Sequence, residues 1–183
     1  GEHLLLSAGR LVWEKGHQDA IRALAWLRRQ GAPVRLLIVG RGPEEARLRA
    51  HAADLGVGDR VELRGFVAYD RLVELYAGAS ALVLGSLSRW HWEEQFGMVL
   101  VEAMAAHLPV VAASSGAIPE VVGASGELFA PGDWRGLADV LAAGVLSGPP
   151  AARRAPEPER LERFSNAAAA RRLRDVYDRL ATT

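Results

Sequence analysis

Glu94-Gln95-Phe96-Gly97-Met98-Val99-Leu100-Val101-Glu102, continuing as Ala103-Met104-Ala105-Ala106, follows the apolar run Ala79 to Leu84 after a short loop. The order is strand, loop, carboxylate, glycine, helix, and a second carboxylate in the first helical turns. A helix N-terminus offers free backbone N–H groups and the positive end of the macrodipole, which together suit an anion. A glycine at that turn lets a ligand approach the main chain. Two carboxylates bracketing an anion site do not themselves hold phosphate; they accept hydrogen bonds from hydroxyls. A ligand with phosphate in the middle and polyols on both sides is a nucleotide sugar. Taken singly, Glu94 reads as an acid near a helix N-cap and Glu102 as a solvated helix residue.

Working outward, apolar runs alternate with helical patterns. Leu4 to Ala8 ends at Gly9, and Val34 to Val39 ends at Gly40-Arg41-Gly42-Pro43. Arg60 to Arg64 alternates and ends at Gly65-Phe66-Val67; Pro109 to Ala113 and Glu127 to Phe129 complete the strands. Helices are expected at His17 to Gln30, from Pro43 to about Leu55, after a cap at Asp70, from Gly97 to His107, and from a cap at Asp133 to about Leu146. The Pro- and Arg-rich stretch 148–158 reads as a loop or linker, and Glu159 to Leu180 as one closing helix with Leu161, Phe164, Leu173, Val176, Tyr177 and Leu180 on its apolar side. Uniformly apolar strands alternating with helices imply an α/β fold with a doubly wound, Rossmann-like parallel sheet. Ligands of such sheets bind at the carboxyl ends of the strands. The loops Gly9–Gly16, Gly40–Pro43, Gly65–Val67 and Gly85–Gly97 should therefore share one edge.

Composition limits the alternatives. The chain has 183 residues, formal net charge +0, and no cysteine. One domain over 1–183 is expected, without a disulfide scaffold, a thiolate metal site or an electrostatic footprint for nucleic acid. No run is long enough for a membrane span, and the absence of cysteine fits a cytoplasmic protein. Lys15 is the single lysine among 22 basic residues. Where arginine has replaced lysine everywhere else, the exception marks chemistry that needs a compact ammonium, or else a chance survivor.

At these residues the chain resembles the C-terminal, donor-binding domain of the group 1, or family four, retaining glycosyltransferases of two-domain GT-B architecture. The matching segments are GRLVWEKG at Gly9, VGRGPE at Val39, RGFV at Arg64, EQFGMVLVEAMA at Glu94, LPVVAASSGAIPEVV at Leu108 and GELFAPGD at Gly126. The resemblance implies that Arg10 and Lys15 bind the donor diphosphate and stabilise charge on the leaving nucleotide without a metal or other cofactor. It implies that main chain from Gly97 through Met98 and Val99 to Leu100, with Phe96 beside it, holds the same phosphates. Glu94 would orient the transferred sugar, Glu102 would accept the ribose diol, and main chain near Phe66 and Val67 would meet the base, with Gly9 and Gly40 framing the donor. No Asp-x-Asp pair, a common metal–diphosphate clamp, occurs.

Three features depart from the family pattern. His107 occupies a position usually held by a small residue and reads as structural. The loop Ser86 to Trp92 is longer and more aromatic, so Trp90 and Trp92 either line a sugar pocket or pack on the neighbouring helix. The N-terminal acceptor domain is not in the chain, which begins at Gly1 rather than Met, so the expectation is a half-enzyme whose partners are a nucleotide-sugar donor, its own N-terminal domain and an acceptor of unknown identity. Any membrane contact would then be made through the other domain, at the inner face.

Rival readings remain. A dinucleotide fingerprint starts at Gly40-Arg41-Gly42 but meets Glu45 where its third glycine belongs. A sugar phosphorylase would need a pyridoxal lysine late in the chain. A nucleotide-sugar epimerase of the same fold and a non-catalytic nucleotide-sugar-binding module both stay open.

Overall fold

In the computed structural model, which describes residues 1–181, six strands form one parallel sheet in the order β3-β2-β1-β4-β5-β6. The strands are β1 (His3–Ala8), β2 (Val34–Val39), β3 (Val61–Arg64), β4 (Ala81–Leu84), β5 (Val110–Ala113) and β6 (Glu127–Phe129). Every neighbouring pair is parallel. Such pairing requires crossovers, supplied by α1 (His17–Arg29), α2 (Glu45–Asp54), α3 (Tyr69–Gly78), α4 (Met98–Ala105) and α5 (Ile118–Val122). Then follow α6 (Trp134–Ala143), α7 (Pro158–Arg163) and α8 (Asn166–Ala181).

The apolar runs bury both strand faces by simple alternation. Leu5, Leu36, Ile38, Ala81, Val83, Val111 and Ala113 enter the core under α1, α2 and α6. Their chain neighbours Leu6, Leu37, Val39, Leu82, Leu84, Val110 and Ala112 enter the core under α3, α4 and α5. Two apolar layers around one sheet explain why these strands read as continuous hydrophobic runs.

Three expectations needed correction. Asp70 does not cap α3: the N-cap is Ala68, with no side-chain hydrogen bond, and Asp70 lies inside the first turn. It places a negative charge in the first helical turn, where the helix dipole favours one. The helix capped by Asp133, whose carboxylate accepts from the Gly136 amide at 2.9 Å, stops at Ala143 and leads into a short 3-10 turn, Val145–Ser147. The closing helix is two helices. Ser165 Oγ accepts from the Ala168 amide at 3.1 Å, so a serine that could have continued the helix starts a new one. The linker ends at Glu157, because Pro158 occupies the first turn of α7, where its missing N–H costs nothing.

The break turns Phe164 inward. Its ring meets Phe96 edge-on at 5.1 Å between centroids, so the start of the α7–α8 pair braces the loop before α4. Leu161 and Phe164 pack on the core, whereas Leu173, Val176, Tyr177 and Leu180 of α8 are exposed. No helix among the described residues is long and apolar enough to cross a membrane.

Candidate functional site

Strand order reverses between β1 and β4, which makes the crevice above them the switch point of the sheet. The four glycine-bearing loops follow β1, β2, β3 and β4 and so gather at this carboxyl edge, as expected. Two of them touch. Gly16, at φ 67°, lies so close that a Cβ would stand 1.8 Å from the Gly85 carbonyl oxygen. The loops after β1 and β4 can therefore meet only across a glycine.

That contact delivers Lys15 to Glu94. Lys15 Nζ lies 2.6 Å from Glu94 Oε2, with the two side chains 16% and 9% exposed. Ser86 Oγ donates to the same oxygen at 2.8 Å, and the Glu94 carbonyl accepts from the Ala117 amide at 2.9 Å. Oε2 thus has two internal partners, while Oε1 has none among the described residues. The Lys15 stem lies 3.8–4.0 Å from where a Gly9 Cβ would be, and its ammonium sits 5.3 Å from the centre of the Trp92 ring. Arg10 and Arg41 are exposed and form no ion pair among the described residues.

Beneath Arg10 lies a support that sequence reading missed. His17 is fully buried; Ser7 Oγ is 2.9 Å from its Nδ1, and its Nε2 is 3.1 Å from the Arg10 carbonyl. A carbonyl can only accept, so Nε2 carries the proton and Nδ1 accepts from Ser7. Burial, against the pull of the Arg10 carbonyl and helped by the Lys15 charge, lowers the His17 pKa to about 4. The folded protein keeps this ring neutral while the unfolded chain protonates it near pH 6.5. Its stabilising effect is complete above that value and is lost as pH falls from 6.5 toward 4, a total of about 3 kcal/mol. His3 and His51 are also lowered by burial, so the comparison must be made with a variant. We expect His17→Gln to flatten the slope of unfolding free energy between pH 7 and 5, measured by urea titration; an unchanged slope would assign it to other groups.

The helix after Glu94 begins with Gly97 as N-cap, at φ 74° and without a side-chain cap. The amides of Gly97, Met98 and Val99 have no acceptor among the described residues, but the Leu100 amide donates to the Gly97 carbonyl at 2.8 Å. Leu100 is also completely buried. It therefore anchors α4 in the core, and its amide, unlike those of Gly97, Met98 and Val99, is already partnered among the described residues. The Phe96 side chain, committed to Phe164, supports the loop from behind. Gly9 and Gly40 use their amides to extend the sheet, bonding Val39 and Arg64 carbonyls at 2.9 and 3.0 Å. Glu102 is half-buried on α4, one turn beyond Val99, and its Oε2 accepts from Tyr76 at 2.7 Å.

Two cavities flank the Lys15–Glu94 pair. One, of about 330 Å³, is lined by Gly9, Arg10, Gly40, Phe66, Val67 and Val99. The other, of about 600 Å³, is lined by Trp90, Trp92, Glu94 and Gln95 among others. Trp90 packs on no helix: it is 98% exposed at the tip of a hairpin closed by paired Arg89 and Trp92 hydrogen bonds of 2.8 and 3.1 Å. His91 is exposed beside it. Glu102 opens into a third hollow of about 250 Å³ that shares Leu72 with the first cavity. His107 adopts φ 55° after α4, a left-handed turn that glycine takes without strain, so His107 serves as a structural turn residue. Among the described residues no group of three or more His, Cys, Asp or Glu is placed to hold a metal ion.

A Rossmann-like parallel sheet with cations, free helix amides and carboxylates at its switch point defines a nucleotide-binding α/β domain. The family is specific: the model for glycosyl transferases, group 1, matches residues 1–170, and the chain belongs to that family. It is 34% identical over 186 residues to the amylovoran biosynthesis glycosyltransferase AmsK of Erwinia amylovora, covering 97% of this chain and 45% of that protein. It is 39% identical over 152 residues to a Mycobacterium tuberculosis glycogen synthase, covering 82% and 35% respectively. Among solved structures, Anabaena HepE in complex with UDP-glucose matches with TM-score 0.70 and 31% identity, over 78% of this chain and 39% of that one. The chain thus spans less than half the length of these relatives, as the C-terminal domain of a GT-B glycosyltransferase would.

Proposed function

We propose that this chain is the donor-binding half of a retaining, metal-independent hexosyltransferase that takes a nucleoside-diphosphate sugar. The observation that carries the reading is the meeting at one crevice of Arg10, the Lys15–Glu94 pair and the unbonded amides of Gly97, Met98 and Val99. Fixed cations and oriented amides around a diphosphate stabilise the charge that grows on the departing nucleotide, and they need no reorganisation as it forms. Phosphate at this point leaves the cavity of Phe66 and Val67 for the base and the cavity of Trp92 and Glu94 for the sugar. Glu94 Oε1 faces the sugar hydroxyls, Glu102 takes the ribose diol, and Trp90 and Trp92 offer aromatic faces to the sugar. Retention of anomeric configuration rests on the family resemblance. HepE, which binds UDP and UDP-glucose, makes a uridine donor the first to try.

The acceptor belongs to a second domain. Transfer requires donor and acceptor held within reach, and positioning supplies a large part of the barrier reduction. Such donors and a cysteine-free chain fit a cytoplasmic setting, with any contact to the inner membrane face made by that domain. The test is calorimetry of the chain with UDP, GDP and ADP, each with and without an attached hexose, in the presence of a chelator. One nucleoside diphosphate should bind without metal, and joining an N-terminal domain should restore transfer with retention. No nucleotide binding, or binding that the chelator abolishes, refutes the reading.

A further inference from the structure

Each site carboxylate has one oxygen held from inside by a hydroxyl: Ser86 on Glu94 Oε2 and Tyr76 on Glu102 Oε2. The second pair has no counterpart in the sequence motifs. Tyr76 lies on α3, 3% exposed, and reaches across to α4 with an O–H···O distance of 2.7 Å. Packing alone would be satisfied by phenylalanine, whereas a buried phenol needs a polar partner. Leu72, one turn earlier on α3, lines both the base-side cavity and the hollow into which Glu102 opens. Val99, one turn before Glu102 on α4, lines the base-side cavity as well. The Tyr76–Glu102 contact therefore sits at the seam between the two hollows, beside the place where a nucleotide must turn from base to phosphate.

We propose that Tyr76 is a positioning residue that clamps Glu102 Oε2 and so presents Oε1 to the ribose hydroxyls of the bound nucleotide; this rests on the donor-binding reading above. A free glutamate must give up rotamer freedom when it binds a ligand, and a side chain already held gives up less. Oε1 accepts no hydrogen bond among the described residues, so it is available for the diol. The phenol stays protonated as a donor, since burial first and the Glu102 carboxylate second push its pKa well above the ordinary value. Selectivity for ribose over deoxyribose would then be set partly by a residue that never touches the ligand.

Calorimetry tests this with the best-binding nucleoside diphosphate of the panel and its 2′,3′-dideoxy counterpart. Wild type should prefer the ribonucleotide by about tenfold, the loss of one hydrogen bond to a charged group. Tyr76→Phe should shrink that preference about fivefold, leave dideoxynucleotide affinity unchanged, and have no effect on the preference when Glu102→Ala is already present. Should Tyr76→Phe fail to fold, Tyr76→Leu keeps an apolar side chain there without the donor. A wild type that binds both nucleotides equally overturns the assignment of Glu102 to ribose, and this inference with it. A wild type that discriminates, with a Tyr76→Phe protein that discriminates as well, overturns this inference alone and leaves the donor-binding reading standing.

Discussion

Lys15→Ala is expected to weaken nucleoside diphosphate binding tenfold to hundredfold and to lower the melting temperature at the same time. The first effect follows from losing a charged donor to the phosphates, about 1.5–3 kcal/mol. The second follows from what Lys15 does before any ligand arrives. Its ammonium is the one cation paired with Glu94 among the described residues, and the Glu94 side chain is only 9% exposed. Removing one member of a buried pair strands the other, which costs about 3–5 kcal/mol, and Ser86 remains to place the loss near the lower end. For a chain this size that corresponds to about 10 °C. Arg10→Ala makes the control, because Arg10 is exposed and pairs with no carboxylate among the described residues. It should weaken binding comparably while leaving the melting temperature of the free protein nearly unchanged. Lys15→Arg should recover part of the stability but little of the affinity: the stem runs close over Gly9 and the compact ammonium is held at 2.6 Å by a single Glu94 oxygen, a seat that a wider guanidinium does not reproduce. Thermal shift and calorimetry on the three variants check all of this. Wild-type affinity in Lys15→Arg would make the single lysine an accident of composition.

This double role shows what the sequence could and could not disclose. Lys15 and Glu94 each stood out in the sequence as candidate residues, one from its rarity and one from its place before a glycine and a helix. That they touch was not legible, because 79 positions separate them and only the switch point, closed across Gly16 and Gly85, brings them together. Strands were legible because a sheet covered on both faces demands unbroken apolar runs. The break at Ser165 was not, since the apolar spacing of Leu161, Phe164, Leu173 and Val176 continues through it while a single side-chain hydrogen bond decides the geometry. Ser86, His17 and Tyr76 were missed for the same reason: each is ordinary in its own element and matters only through a partner brought in from another. That the Leu100 amide already has a partner was not legible either, because helix position alone does not show the Gly97 carbonyl turning back on it.

The Lys15–Glu94 pair also changes what should follow from removing the carboxylate. In the free protein Glu94 holds, at 2.6 Å, the cation that we propose meets the diphosphate. Binding a free nucleoside diphosphate therefore requires Lys15 to loosen from Glu94, and it brings phosphate charge toward a carboxylate of the same sign. Glu94→Gln removes both obstacles, so affinity for the free diphosphate should rise, by about fivefold for a like-charge repulsion of around 1 kcal/mol in a partly screened setting. A nucleotide sugar gains the same relief but loses the charge-assisted hydrogen bonds from its hydroxyls to Oε1, about 1.5–3 kcal/mol. The ratio of the two affinities should thus fall by tenfold or more, while Glu102→Ala weakens both ligands alike because both carry ribose. Calorimetry with matched pairs, UDP against a UDP-hexose if uridine is the base, reads the ratio directly. Equal weakening of both ligands by Glu94→Gln would mean that Glu94 only braces Lys15 and the Ala117 loop, and the sugar would have to be held by other groups.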